Sequence, residues 1–186
     1  FDAAGNQTRM SQSGRNTDMV YDSLGRKKSM TDPDMGTWTY EVNHAGETIR
    51  QLSPRGTCTT SLYDGRGRVW QRNDYVSTSC SGDPEAQANW EFDTKLNGKG
   101  ALALENSKVN GVTRVTRTPT YDTLGRGISV DTVLDGKTYK EESTYDQFGR
   151  AFQGFFTAPG VNKTGELIQY NGQGYQYRVR SAYPNT

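Results

Sequence analysis

The chain has 186 residues, a formal net charge of +1 and 32% hydrophobic residues. The near-neutral charge argues against a nucleic-acid-binding surface, and no apolar run reaches the roughly 20 residues that span a bilayer. Disorder is not favoured either, because 11% of the residues are aromatic and the net charge is low. With 21 glycines and 11 tyrosines, the composition predicts an ordered, turn-rich all-β protein.

A six-residue motif recurs along the chain. It consists of an aromatic or aliphatic residue, Asp or Asn, two variable residues, Gly, and a mostly polar residue. Copies begin at Phe1, Tyr21, Val42, Tyr63, Phe92, Tyr121, Tyr145 and Tyr170, and the glycine of the Phe92 copy is displaced to Gly98 or Gly100. The first intervals are 20, 21 and 21 residues, and the later ones are 29, 29, 24 and 25. Periods in this range are typical of repeat architectures.

The motif predicts a tight turn between paired strands. An Asp in second position can cap the backbone two residues further on, and a Gly in fifth position can adopt a positive φ. These residues are therefore expected to be structural and not catalytic. The residues that carry the motif best are Tyr21, Asp22, Gly25, Arg26, Tyr63, Asp64, Gly67, Arg68, Tyr121, Asp122, Gly125, Arg126, Tyr145, Asp146, Gly149 and Arg150.

A second set of turn signals alternates with the motif, at residues 32–36, 53–56, 110–111, 135–136 and 158–160. The segments between turns alternate with period two, as in Trp38, Tyr40 and Val42, which indicates strands. Two longer stretches, 77–89 and 97–110, interrupt the pattern and are predicted to be excursions from the repeat. Within the second, residues 101–106 fit a short strand or a helical turn.

The YDxxGR motif, alternating with DPxxG-like turns, resembles the Rhs/YD-repeat family over essentially the whole chain, residues 1–186. The resemblance implies antiparallel β-hairpins joined side by side in a large spiralling sheet that forms part of a shell. It also implies a secreted or cell-surface bacterial protein whose shell encloses a C-terminal toxin or other cargo. The partners would then be the rest of the same polypeptide's shell and its cargo.

The family's DPxGxxGG-like core motif and a following toxin domain do not occur in these 186 residues. There is also no secretory signal peptide, and the chain begins inside a repeat. We therefore expect a non-catalytic fragment of a longer shell protein.

Few residues suggest chemistry, and we expect neither a cofactor nor a metal. His44 is the one histidine and falls at a variable turn position, and the neighbours Glu141 and Glu142 should point to opposite faces of a strand. Cys58 and Cys80 are either a disulfide or two unrelated thiols. The arginines of the motif either form a ladder with the turn aspartates and motif tyrosines, or provide a surface for an acidic partner.

Three alternatives remain open from the sequence. The tyrosine-rich face could bind cell-surface glycans, as in an adhesin or carbohydrate-binding module. An enzyme site could lie in the stretch between Ser77 and Asn110. Finally, two repeats of 21 residues give a period of about 42, which is also typical of β-propeller blades.

Overall fold

The computed structural model describes residues 1–182, and these contain fifteen β-strands and no helix. The strands are β1 (Arg9–Gln12), β2 (Arg15–Tyr21), β3 (Lys27–Asp32), β4 (Gly36–Val42), β5 (Thr48–Leu52), β6 (Cys58–Tyr63), β7 (Val69–Tyr75), β8 (Ala86–Phe92), β9 (Leu102–Val109), β10 (Val112–Tyr121), β11 (Gly127–Leu134), β12 (Lys137–Tyr145), β13 (Ala151–Thr157), β14 (Thr164–Tyr170) and β15 (Gln176–Ala182). No helix within residues 1–182 has the length and apolar character that crossing a membrane requires.

The chain divides into two compact units. The first comprises Phe1–Ala88 and Val109–Gly111, and the second comprises Asn89–Lys108 and the chain from Val112 onward. In the first unit, strands β1 to β7 lie side by side in chain order, each antiparallel to the next. In the second unit, strands β10 to β15 do the same. The predicted all-β array of antiparallel hairpins is therefore confirmed.

The β-propeller alternative is wrong. A propeller blade is a separate sheet of four strands. Here a continuous sheet runs through at least seven strands in the first unit and six in the second. The period of about 42 residues therefore reflects consecutive hairpins and not blades.

Strand β4 shows why the sequence forms this sheet. Trp38, Tyr40 and Val42 are half-buried on one face, while Thr37, Thr39 and Glu41 are exposed on the other. Such alternation fixes the register, because a slip of one residue would turn every apolar side chain to the opposite face. The predicted alternation is therefore present in this strand.

The hairpin turns at residues 110–111 and 135–136 have the backbone that two-residue connections favour. Both residues of each turn have positive φ, 49° and 74° at Asn110 and Gly111, and 45° and 80° at Asp135 and Gly136. A turn with two positive φ angles matches the right-handed twist of the strands that it joins. Asn-Gly and Asp-Gly tolerate this backbone best, which explains the choice of residues.

Burial in this protein is shallow. Among the described residues, only Cys58, Gly98, Ala103 and Pro119 are buried, and most apolar side chains in the strands are half-exposed. Neither unit places a second layer of helices or strands over its sheet. Stability must therefore come mainly from strand pairing and from contacts between neighbouring side chains on the sheet.

The two predicted excursions differ in structure. Residues 76–85 lie between β7 and β8 and form no strand, whereas β8 begins inside the first excursion at Ala86. An extended turn at residues 93–101 leads into the second excursion, where β9 then runs from Leu102 to Val109. The undecided segment 101–106 therefore lies in a strand from Leu102 onward.

Candidate functional site: the motif turns

The motif forms a turn with a fixed backbone, as residues 122–126 illustrate. The N–H of Asp122 donates to the carbonyl of Arg126, and the N–H of Gly125 donates to the carbonyl of Asp122, both at 2.9 Å. Gly125 has a φ of +77°, a conformation that costs an L-residue with a side chain about 1–2 kcal/mol. The same two hydrogen bonds recur in the turns that begin at Asp2, Asp22, Asn43, Asp64, Asp146 and Asn171.

The aspartate side chain closes the turn. In Asp122, Oδ1 accepts the backbone N–H groups of Leu124 and Arg126, each at 2.9 Å, and Oδ2 accepts Nε of Arg126 at 2.7 Å. The same three bonds form around Asp22, Asp64 and Asp146. Both carboxylate oxygens thus accept hydrogen bonds within the turn. This geometry explains why an aspartate occupies the second position of the motif.

These hydrogen bonds favour the ionised carboxylate. The backbone N–H of Arg26 and then its guanidinium lower the pKa of Asp22, and the same two groups of Arg68 lower the pKa of Asp64. At Asp122 the Arg126 guanidinium is the main cause of the lowered pKa, followed by the backbone N–H groups. A carboxyl group with a lowered pKa is poorly suited to general acid catalysis near neutral pH.

The lowered pKa values predict acid sensitivity. A group whose pKa is lower in the folded state stabilises the fold above its unfolded pKa, about 3.9 for Asp, and this contribution is lost as the pH falls through the folded pKa. We expect the thermal unfolding temperature to fall progressively below about pH 4. Calorimetry should show a shallower acid slope for Asp122→Asn than for the unmodified chain. Equal slopes would contradict this role for the carboxylate.

Two of the motif arginines also reach the following turn. The guanidinium carbon of Arg126 lies 4.3 Å from the ring centroid of Tyr145, and that of Arg150 lies 4.1 Å from the ring centroid of Tyr170. Such cation–π contacts contribute about 0.5–1 kcal/mol each at exposed sites. Nη1 of Arg126 also lies 3.4 Å from the position that a Cβ on Gly149 would occupy. Each of these two arginines therefore joins its own aspartate to the ring of the following motif.

Four motif tyrosines are hydrogen-bonded to the backbone next to the preceding turn through their hydroxyl groups. Tyr145 donates to the carbonyl of Gly127 at 2.7 Å, and Tyr170 donates to the carbonyl of Ala151 at 2.8 Å. Tyr63 and Tyr121 donate in the same way to the carbonyls of Thr48 and Leu102. In each case the acceptor is the residue that follows the preceding turn. Sequence analysis missed these bonds, although Tyr in place of Phe at the first motif position is a signal for them.

We call the side chains at the first, second and last positions of the motif turns, taken within each unit, the turn spine. In the first unit the turn spine also includes a guanidinium-to-carbonyl and an amide-to-carboxylate hydrogen bond. Nη1 of Arg26 donates to the carbonyl of Asn43 at 2.9 Å, at the start of the next turn. That turn ends in Glu47, whose carboxylate accepts Nδ2 of Asn43 at 2.6 Å and lies 2.9 Å from the Cβ position of Gly67.

The other candidate residues do not assemble into a reactive site. His44 is exposed in its turn, and Glu141 is exposed while Glu142 lies on the opposite face beside Lys163. Within residues 1–182, no group of three or more His, Cys, Asp or Glu residues is placed to hold a metal ion. Cys58 and Cys80 form a disulfide with their Cα atoms 5.4 Å apart.

No protein-family model matches the chain, and no curated protein sequence matches it. Among solved structures, the Photorhabdus luminescens Tc holotoxin pore aligns with 92% of this chain at 13% identity and a TM-score of 0.56. The chain spans 12% of the length of that toxin chain. The chain shares its fold with a section of this toxin. The predicted resemblance to the Rhs/YD-repeat family is therefore confirmed at the level of the fold.

Two further structures align along most of the chain with lower scores. A porin-like protein from Bacteroides uniformis covers 93% of this chain at 11% identity and a TM-score of 0.45, and the alignment includes 86% of that protein. A TcdB2–TccC3 crystal structure without its hypervariable C-terminal region aligns with 92% of this chain, at 12% identity and a TM-score of 0.23. The alignment includes 14% of the TcdB2–TccC3 chain.

In these turns, the arginine contacts are those of a ladder. Arg26, Arg68, Arg126 and Arg150 each form an ion pair with the aspartate of their own turn. The rings of Tyr145 and Tyr170 face the last two of these arginines. Four motif tyrosines donate hydrogen bonds from their hydroxyl groups to backbone carbonyls.

Proposed function

We propose that this chain is a non-catalytic section of the wall of a larger shell, exported by or displayed on a bacterial cell, that encloses a toxin or other cargo. In this role the motif residues hold neighbouring hairpins in a fixed relation. The fold shared with a section of the Tc holotoxin pore supports a structural role of this kind. Export, bacterial origin and enclosed cargo are the parts of the proposal that rest on the family resemblance.

One observation carries the proposal: two copies of the turn have the same backbone geometry although their charged side chains differ. The Asp22 turn joins a carboxylate to the guanidinium of Arg26, whereas the Asn43 turn joins an amide to the carboxylate of Glu47. Both turns make the same backbone bonds and the same two bonds to Oδ1. A reactive site would require particular charges and proton acceptors, so the retained property is the geometry.

The shallow burial of the sheet also favours a place within a larger assembly. A sheet with so few buried side chains gains little from a core of its own. At the tips of three motif turns, Leu24, Leu124 and Phe148 expose 71–74% of their surface. In the proposed shell, neighbouring parts of the same polypeptide cover these tips.

Limited proteolysis of the longer polypeptide that contains this section tests the proposal. The cargo should resist a broad-specificity protease in the intact protein and become cleavable in an Arg126→Ala/Arg150→Ala variant, which breaks the turn spine. The matched control is Arg114→Ala/Arg117→Ala, because these exposed arginines pair with Asp135 and Glu105 outside the spine. Equal cleavage of the cargo in the unmodified protein and the spine variant would refute the proposed wall.

A further inference from the structure

The segment 76–85, which we call the strap, lies outside the repeat and is held to the first unit in an unusual way. It joins β7 to β8 without forming a strand, and Val76 to Ser79 are exposed. Its end is fixed by the carbonyl of Glu85, which accepts the N–H of Asn110 at 2.7 Å. The disulfide from Cys58 and two hydrogen bonds from Arg50 hold its middle, 77–82, to the sheet.

Arg50 of β5 is the centre of this attachment. Its Nε donates to Sγ of Cys80 at 2.8 Å, and its Nη2 donates to the carbonyl of Thr78 at 2.8 Å. Nη1 donates to Oε1 of Glu41 on the neighbouring strand at 2.7 Å, which fixes the direction of the guanidinium. A positive charge is thereby held against one sulfur of the disulfide.

The two sulfurs differ in access. Cys58 lies in β6 and exposes only 1% of its surface, whereas Cys80 lies in the strap and is partly exposed. Thiol–disulfide exchange requires a thiolate to approach one sulfur in line, so access decides which sulfur is attacked. The strap sulfur is therefore the reachable one.

We propose that Cys80 is a site of thiol exchange at which a small thiol reductant opens the disulfide and releases the strap. The thiolate attacks Sγ of Cys80 and forms a mixed disulfide there, while the Cys58–Cys80 bond breaks and Cys58 leaves as a thiolate that takes a proton from water. A second reductant thiolate attacks the reductant's sulfur in the mixed disulfide. This step releases Cys80 and yields the oxidised reductant, so two electrons pass from two thiols to the protein disulfide.

Arg50 promotes the first step. In the transition state the incoming and the leaving sulfur share one negative charge, and both are bonded to the central sulfur, Sγ of Cys80. A guanidinium in hydrogen-bond contact with that sulfur attracts the incoming thiolate and stabilises the developing charge. Reduction removes the covalent attachment of residues 77–82 and leaves the two hydrogen bonds from Arg50, and the strap then leaves the sheet.

The first experiment maps the attacked sulfur. The folded chain is treated with reduced glutathione, the reaction is stopped with acid, and adducts are located by peptide mass spectrometry. The glutathione adduct is expected on Cys80. An adduct on Cys58, or a disulfide that reacts only in denaturant, would overturn the proposal.

The second experiment tests Arg50 and the release of the strap. Arg50→Gln should slow reduction about fivefold, as expected for the loss of one charge in contact with the reacting atoms. The matched control, Arg72→Gln, removes an arginine that pairs with Asp74 on the opposite sheet face, and it should leave the rate unchanged. Equal rates for the two variants would overturn the role of Arg50.

Hydrogen exchange of the reduced chain supplies the structural readout. Exchange should rise in residues 76–85, while β5 and β6 stay protected on the same timescale. Continued protection of the strap would overturn its release. Exchange that rises equally in β5 and β6 would overturn it as well, because the disulfide would then support the whole unit.

Discussion

Gly36→Ala is expected to lower the free energy of unfolding by about 2–4 kcal/mol, the largest effect that we predict for a single added methyl group. Gly36 has a φ of +77°, which alone costs alanine about 1–2 kcal/mol. In addition, a Cβ on Gly36 would lie 2.6 Å from Cβ of Pro54, in the corresponding turn of the next hairpin. The turn must therefore shift against a rigid proline ring.

Gly56→Ala is the matched control for this prediction. Gly56 has nearly the same backbone, with a φ of +79°, but no atom lies within 4 Å of its Cβ position. This variant should lose only the conformational contribution of about 1–2 kcal/mol. Urea denaturation of both variants gives the comparison. Equal losses would show that contact between successive turns at this edge contributes nothing.

The second large effect is expected for Gly165→Ala in β14, about 2–3 kcal/mol. Here the backbone is extended and the obstacle is the ring of Phe155, which lies across the glycine from the paired strand. A Cβ would meet Cδ1 of this ring at 2.3 Å and the carbonyl oxygen of Gly154 at 2.7 Å. Movement of the ring alone would not relieve the second contact, so the backbone must shift too.

Gly127→Ala in β11 is the control for the strand position. Gly127 has no atom within 4 Å of its Cβ position and no positive φ, so alanine should be neutral or stabilise by up to about 1 kcal/mol. Thermal and urea unfolding of the two variants should therefore give changes of opposite sign or clearly different size. If Gly165→Ala proves as harmless as Gly127→Ala, the packing of Phe155 on the strand is not a stabilising contact.

The local features of the fold were readable from the sequence because they depend on neighbours along the chain. The pairing of Asp22 with the backbone of its turn follows from a spacing of two to four residues. The alternation of Trp38, Tyr40 and Val42 likewise follows from the geometry of a single strand. For the same reason, residues 97–110 were harder to interpret, since a displaced glycine obscured the turn before β9.

The contacts between turns were beyond the sequence because they depend on strand register. Arg126 and Tyr145 are 19 residues apart along the chain, and their stacking requires that their two turns lie at one edge of the sheet. The pairing of Cys58 with Cys80 similarly required Cα atoms 5.4 Å apart, a distance that cysteine spacing does not reveal. The Arg50 contacts depend on how the strap folds back, and no motif encodes that path.

The central claim is that motif residues connect neighbouring turns within each unit, and a double-mutant cycle on Arg126 and Tyr145 tests it most directly. Arg126→Met, Tyr145→Leu and the double variant are compared by urea denaturation. A cycle on Arg150 and Tyr170 serves as the repeat. Arg126 with Tyr139 serves as the unconnected pair, because Tyr139 lies opposite Thr132 of the neighbouring strand and its ring stacks on Phe156.

We predict a coupling free energy of about 0.5–1 kcal/mol in both connected pairs and additive effects in the control pair. Coupling in the connected pairs that is no larger than in the control pair would contradict a continuous turn spine.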